Sequence, residues 1–209
     1  MKKNICLLLA FAALLNSAHA LTLTFSPTPA NLNNLDHINA TSWGLAAGAI
    51  PVGQTITGAT LKISQIWDWK LGETDYLFIR LLDNPALGVK TFVDNTNDNV
   101  YIDYFAGQGV ALTTWSDPIG GLDGRFATDL TYTFTTSQLA TLSTYMSNAT
   151  PAGMAAFGFG FDPDCHYFNN GVTFTVTTTT ASVPDAGSTG ALLGLGVLAL
   201  GWFRRRGAA

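Results

Sequence analysis

From residue 21 onward the chain alternates apolar and polar side chains with a period of two. Leu21-Thr22-Leu23-Thr24-Phe25 shows it first, and residues 60–66, 130–134 and 172–177 repeat it. Successive side chains of a strand point to opposite faces, so this pattern predicts half-buried strands with threonines outward. Residues 76–82, 100–105 and 154–161 read as further strands, and 109–115 as a weaker one. Turn-forming clusters separate them at Asp83-Asn84-Pro85, Asp117-Pro118, Asp123-Gly124 and Asn169-Asn170-Gly171. One helix is expected at 137–147, where Leu139, Leu142, Tyr145 and Met146 share a face behind a serine cap. Many short strands with such punctuation predict an all-β fold: an antiparallel jelly-roll-like β-sandwich with one short helix.

Both ends of the chain break the alternation. Lys2 and Lys3 precede an apolar run at 5–15, and Ala18-His19-Ala20 offers the small residues of a cleavage point. Residues 1–20 therefore read as a secretory signal peptide, removed by signal peptidase to leave Leu21 first. Residues 189–203 are apolar and rich in Gly, Ala and Leu, and predict a single membrane-spanning helix. At ~1.5 Å per residue it reaches only ~22 Å against a hydrocarbon core of ~30 Å, which suits a temporary stop. Arg204, Arg205 and Arg206 form the membrane stop, and the positive-inside rule keeps them cytoplasmic. The expected plan is a signal peptide at 1–20, a β-sandwich ectodomain at 21–180, a linker and sorting motif at 181–188, the span at 189–203 and a basic tail at 204–209.

The order of Val183-Pro184-Asp185-Ala186-Gly187, apolar span and arginine block resembles the PEP-CTERM class of bacterial sorting signals. It is most similar to the variant with a Val-Pro-Asp-Ser-Gly core, from which it departs at Ala186. The resemblance implies that an exosortase-type membrane transpeptidase recognises the motif and cuts the tail. The product would then reach the cell surface or extracellular matrix. Residues 66–84 and 161–171 also resemble segments of secreted β-sandwich ectodomains that accompany such tails, a group with no assigned activity.

Charge is unevenly distributed. The whole chain carries −4, but between Leu21 and Val183 five basic residues face thirteen acidic ones, a net of −8. A surface of that sign without basic patches argues against nucleic acid as a partner. With Cys6 in the signal peptide, Cys165 is left alone in the exported region, so no internal disulfide is expected. A small buried hydrophobe is the ordinary reading of such a cysteine.

Candidate chemistry is confined to loops and aromatic residues. Asp94 and Asp98 lie in one oxygen-rich loop, and Asp162 and Asp164 in another. All four are candidate Ca²⁺ ligands, although Asp and Asn also simply build turns. Zinc is poorly served by His37, His166 and Cys165, because adjacent Cys165 and His166 would point to opposite faces of a strand. Trp67 and Trp69 have the spacing of a paired aromatic platform for sugar rings, with Asp68 facing the other way, but at least one of the two is expected to be buried in the core. No Gly-x-Ser-x-Gly elbow, His-Glu-x-x-His or phosphate loop is present, and Glu73 is the sole exported glutamate, so no enzyme is expected. The sequence thus describes an exported surface or matrix protein with a structural or adhesive role associated with exopolysaccharide. A carbohydrate-binding module is the main alternative, and a secreted hydrolase a weaker one.

Overall fold

The computed structural model describes residues 20–69, 75–94, 102–117 and 124–180, all within one compact body, Ala20–Thr180. Among the described residues there are ten strands: β1 (Ala20–Phe25), β2 (Asn39–Leu45), β3 (Gln54–Asp68), β4 (Leu77–Asp83), β5 (Gly88–Val93), β6 (Val110–Trp115), β7 (Thr128–Thr133), β8 (Phe157–Pro163), β9 (Tyr167–Phe168) and β10 (Gly171–Thr180). A 3₁₀ turn (Gly124–Phe126) precedes β7, and one helix, α1 (Thr136–Ser147), follows it. One sheet has the order β1-β10-β3-β7, with β9 joined to the end of β3; the other has the order β5-β2-β8-β4-β6. Every pairing between these strands is antiparallel. The all-β sandwich expected from the alternation is what the chain builds. Among the described residues no helix is long and apolar enough to cross a membrane. The predicted span at 189–203 lies outside them, as do Ala18, the sorting motif Val183 to Gly187 and Arg204 to Arg206.

The core forms where the apolar faces of the two sheets meet. Leu61, Ile63, Phe174 and Val176 of the first sheet pack with Leu77, Ile79, Phe157, Phe159 and Phe161 of the second. Phe159 and Phe174 join the layers with ring centroids 4.9 Å apart. Strand β8 explains why the second sheet is buried on both sides. Its Phe157-Gly158-Phe159-Gly160-Phe161 run sends every phenylalanine inward and leaves glycines on the outer face. The ring of Phe105 lies across Gly160, 2.7 Å from where a Cβ would stand. A second small core of Ala40, Leu82 and Phe105, flanked by Phe92 and Tyr104, covers that outer face.

This cover corrects one sequence expectation. Of the strand predicted at 100–105, residues 102–105 are described and form no strand. Asp103 accepts from the Phe105 N–H at 2.9 Å, and two turns follow, Ala106 N–H to Asp103 carbonyl and Gln108 N–H to Phe105 carbonyl. A side-chain oxygen that satisfies the local backbone in this way competes with a strand ladder. Arg80 pins the segment by donating to Asp103 Oδ2 at 2.7 Å and to the Gln108 carbonyl at 2.8 Å.

Helix α1 forms close to the expected place, but its N-cap is Thr135 rather than a serine. Thr135 and Gln138 make a reciprocal capping box, each side chain answering the other's backbone N–H. Leu142 is buried, and Leu139, Tyr145 and Met146 pack against the core beside it.

Strand β3 carries the feature that matters most for the surface. Its inward residues are Ala59, Leu61 and Ile63, then Ile66 and Asp68, so the alternation skips one residue. The skip is a bulge in the pairing with β7 between Ile63 and Ile66. Gln65, at φ 48°, is the residue in left-handed backbone there. Its N–H donates to Asp129 Oδ1 at 2.9 Å, while Lys62 pairs with Asp129 Oδ2 at 2.6 Å. Lys62 and this backbone donor hold the Asp129 carboxyl down at about 2. Beyond the bulge every side chain has exchanged faces.

Candidate functional site

Trp67 and Asp68 leave the bulge in opposite directions. Trp67 stands outward, half-buried, directly opposite Phe168 in the β3–β9 pairing. Their rings stack at 4.4 Å and 22°. His166 also stacks on Phe168, at 4.5 Å. Trp69 follows with 47 % of its surface exposed. Neither tryptophan enters the core, which corrects the expectation that at least one would be buried there, because the bulge turns both outward. Trp67, Phe168 and His166 make a three-ring ladder on the outside of the sandwich, and Trp69 lies just beyond it in sequence. Stacked rings with an open face are the geometry with which proteins hold flat apolar faces such as those of sugar rings.

The acidic loops are only partly brought together. Asp162 follows the outer face of β8 under the turn that carries Tyr104, and its Oδ2 accepts from the Tyr104 N–H at 2.6 Å. The residue is 1 % exposed, and its Oδ1 has no hydrogen-bond partner. Burial, opposed by the Tyr104 N–H and helped by the charges of Asp94, Asp103 and Asp164, brings the Asp162 carboxyl up to about 7. Asp164 is raised to about 6, chiefly by burial and then by Asp75 and Asp94. Among the described residues no cation pairs with Asp162, whereas Asp103 has Arg80. Asp94, Asp162 and Asp164 thus share one electrostatic neighbourhood; Asp98 lies outside the described residues.

The tightest convergence of ligand-type atoms among the described residues falls elsewhere. Donor atoms of Asp68, Asp75 and Cys165 all lie within 4.8 Å of one another. Asp68 is fully buried at the end of β3, Asp75 stands just before β4, and Cys165 is buried just before β9. Asp117, after β6, accepts from the Asp68 N–H at 3.2 Å. Burial, with Asp75 next, pushes the Cys165 thiol up to about 12, so it stays protonated in this setting. Tyr167 lies opposite Asp68 on the same inner face and is fully buried. Its phenol is driven upward by burial and then by Cys165, Asp75 and Asp68. In the exported sequence the only histidine ligands to hand for Cys165 are His37 and the adjacent His166. The structure places Cys165 and His166 on opposite faces, as adjacent strand-like residues must be. The carboxylates that do meet Cys165 are 97 and 90 positions earlier in the chain, a juxtaposition for which no local spacing signal exists.

Comparison with known proteins bears on the C-terminal end. Residues 182–206 match the VPDSG-CTERM motif. No curated protein and no solved structure matches the chain. The matched segment covers the motif at Val183 to Gly187, the apolar stretch and Arg204 to Arg206, with Ala186 tolerated at the serine position. Signals of this type are processed by a membrane enzyme, and they mark export and surface association. The chain is an exported protein that carries a PEP-CTERM-type sorting signal of the VPDSG variant.

Proposed function

We propose that the protein is a structural or adhesive component of the cell surface or extracellular matrix, held there in contact with exopolysaccharide. The sorting signal at residues 182–206 is the observation that carries this reading. In it, an exosortase-type transpeptidase recognises Val183 to Gly187 while the apolar stretch pauses in the membrane, then removes the tail with its arginines. The exported domain works by contact and not by catalysis. Its strand orders, β1-β10-β3-β7 and β2-β8-β4-β6, support reading the sandwich as a jelly roll, with β5 added at the edge beside β2. A structural Ca²⁺ near Asp94, Asp162 and Asp164 belongs to the same proposal, supported by the buried, unpartnered Oδ1 of Asp162.

The second reading, a carbohydrate-binding module with a defined site, is favoured by the outward ladder of Trp67, Phe168 and His166 beside exposed Trp69. Fractionation of the native host tests the first reading, combined with intact-mass measurement of the recovered protein. The expected product begins at Leu21, has lost Arg204 to Arg206 and is found in the surface or matrix fraction. A deletion of residues 182–206 should move it into the medium or periplasm. Retention of the arginines in all recovered protein, or unchanged fractionation after the deletion, would defeat it.

A further inference from the structure

We infer that Asp68, Asp75 and Cys165 form a binding site for one divalent transition cation of the Zn²⁺ class, at the end of the sandwich where β3 crosses to β4. Three donor atoms that lie pairwise within 4.8 Å have a common point no more than about 2.8 Å from each. Zinc–sulfur and zinc–oxygen bonds of about 2.3 and 2.0–2.2 Å require only a small contraction from there. A thiol among the donors selects a borderline cation over Ca²⁺ or Mg²⁺, which take oxygen alone.

The convergence of acids and a cysteine is not the only sign. Tyr167 is fully buried, yet its phenol oxygen has no hydrogen-bond partner. It faces the same interior as Asp68, its pairing partner across β3 and β9. Asp75 Oδ2 is also buried without a partner. Buried polar atoms of this kind call for something to answer them, and a cation with its bound water would serve both. On binding, the cation replaces the proton on the Cys165 sulfur, the sulfur–metal bond forms as the S–H bond breaks, and one proton leaves to solvent. The site lies apart from the aromatic ladder, which occupies the opposite face of the same β3–β9 ribbon, so it stands whether or not the surface binds sugar.

The test uses the full-length chain in detergent with Cys6→Ser, which leaves Cys165 as the one thiol. After metal stripping, Co²⁺ should produce the near-ultraviolet sulfur-to-cobalt charge-transfer band, with one equivalent of Zn²⁺ abolishing it by displacement. Cys165→Ser should remove the band, and Asp75→Asn, which removes a direct ligand, should weaken Zn²⁺ binding by at least the roughly 10–100-fold that loss of an outer-shell partner causes. Asp162→Asn, in the other acidic cluster, should leave both unchanged. Absence of the band in the protein with Cys165 intact would overturn the assignment, and that measurement needs no site variant to fold. Stoichiometric Ca²⁺ binding lost on Asp75→Asn, without Zn²⁺ binding, would equally overturn it.

Discussion

Replacing Asp162 by asparagine should make the protein more resistant to alkaline conditions. The carboxylate is 1 % exposed, accepts one backbone hydrogen bond through Oδ2, and is surrounded by Asp94, Asp103 and Asp164. Its folded-state value of about 7 stands above the ordinary 3.8. The folded protein therefore binds more protons than the unfolded chain between those values. Stability contributed by this group is fully present below about pH 4 and is lost as pH rises through about 7. Each pH unit of displacement corresponds to about 1.4 kcal/mol, giving about 4 kcal/mol as an upper bound. The upper bound is not fully reached, because Asp164 titrates nearby and shares the repulsion. A difference of about 2–4 kcal/mol is expected. Asparagine can still accept from the Tyr104 N–H, and its amide adds a cost that does not depend on pH. The diagnostic quantity is therefore a slope. Urea unfolding in chelator between about pH 5 and pH 8.5 spans only the last two pH units below the folded value of about 7, so the wild type should lose about 1.5–2.7 kcal/mol more than Asp162→Asn. Parallel curves would refute the reasoning. Millimolar Ca²⁺ should remove the wild-type loss and leave the variant unaffected, since a cation bound only to the folded state offsets the repulsion. A wild type indifferent to Ca²⁺ would remove the calcium assignment and leave the titration argument standing.

Three further outcomes follow from the burial or exposure of aromatic side chains. Phe159→Ala empties the junction of the sheets, where its ring meets Trp43 at 5.6 Å and Phe174 at 4.9 Å, and should cost ~3–5 kcal/mol. Calorimetry should then show a melting temperature lower by roughly 6–20 °C, and a drop of only a degree or two would place the core elsewhere. Trp69→Ala should change stability by less than about 0.5 kcal/mol, as an exposed side chain does, while weakening exopolysaccharide pull-down by ~1 kcal/mol or more if the aromatic face binds sugar. Trp67→Ala should do the same to binding, with a moderate loss of stability from its stack on Phe168; full binding by both variants would leave the structural reading without its rival.

What the sequence by itself determined was set by short-range periodicity and by order along the chain. Alternation at 21–25, 130–134 and 172–177 needed no partner to be read as strand, and the structure has β1, β7 and β10 there. The motif, apolar stretch and arginines were legible because a processing signal is recognised as linear sequence. Strand β2 was not legible. Thr41, Ser42 and Trp43 are all buried in it, so the polar side of the alternation is missing. Its polar groups are covered by contacts from other parts of the chain. Strand β5 escaped for the opposite reason, being an edge strand with little burial to leave a pattern.

Only the tertiary structure decided which way Trp67 and Asp68 face. Strict alternation from Leu61 and Ile63 would send Trp67 into the core and Asp68 into solvent. The bulge at Gln65, pinned by Asp129 from β7, reverses both. One extra residue in a period of two exchanges the faces of everything after it, and the residue that holds it there is 64 positions away. That single reversal places the aromatic ladder outside and brings Asp68 inward to meet Asp75 and Cys165.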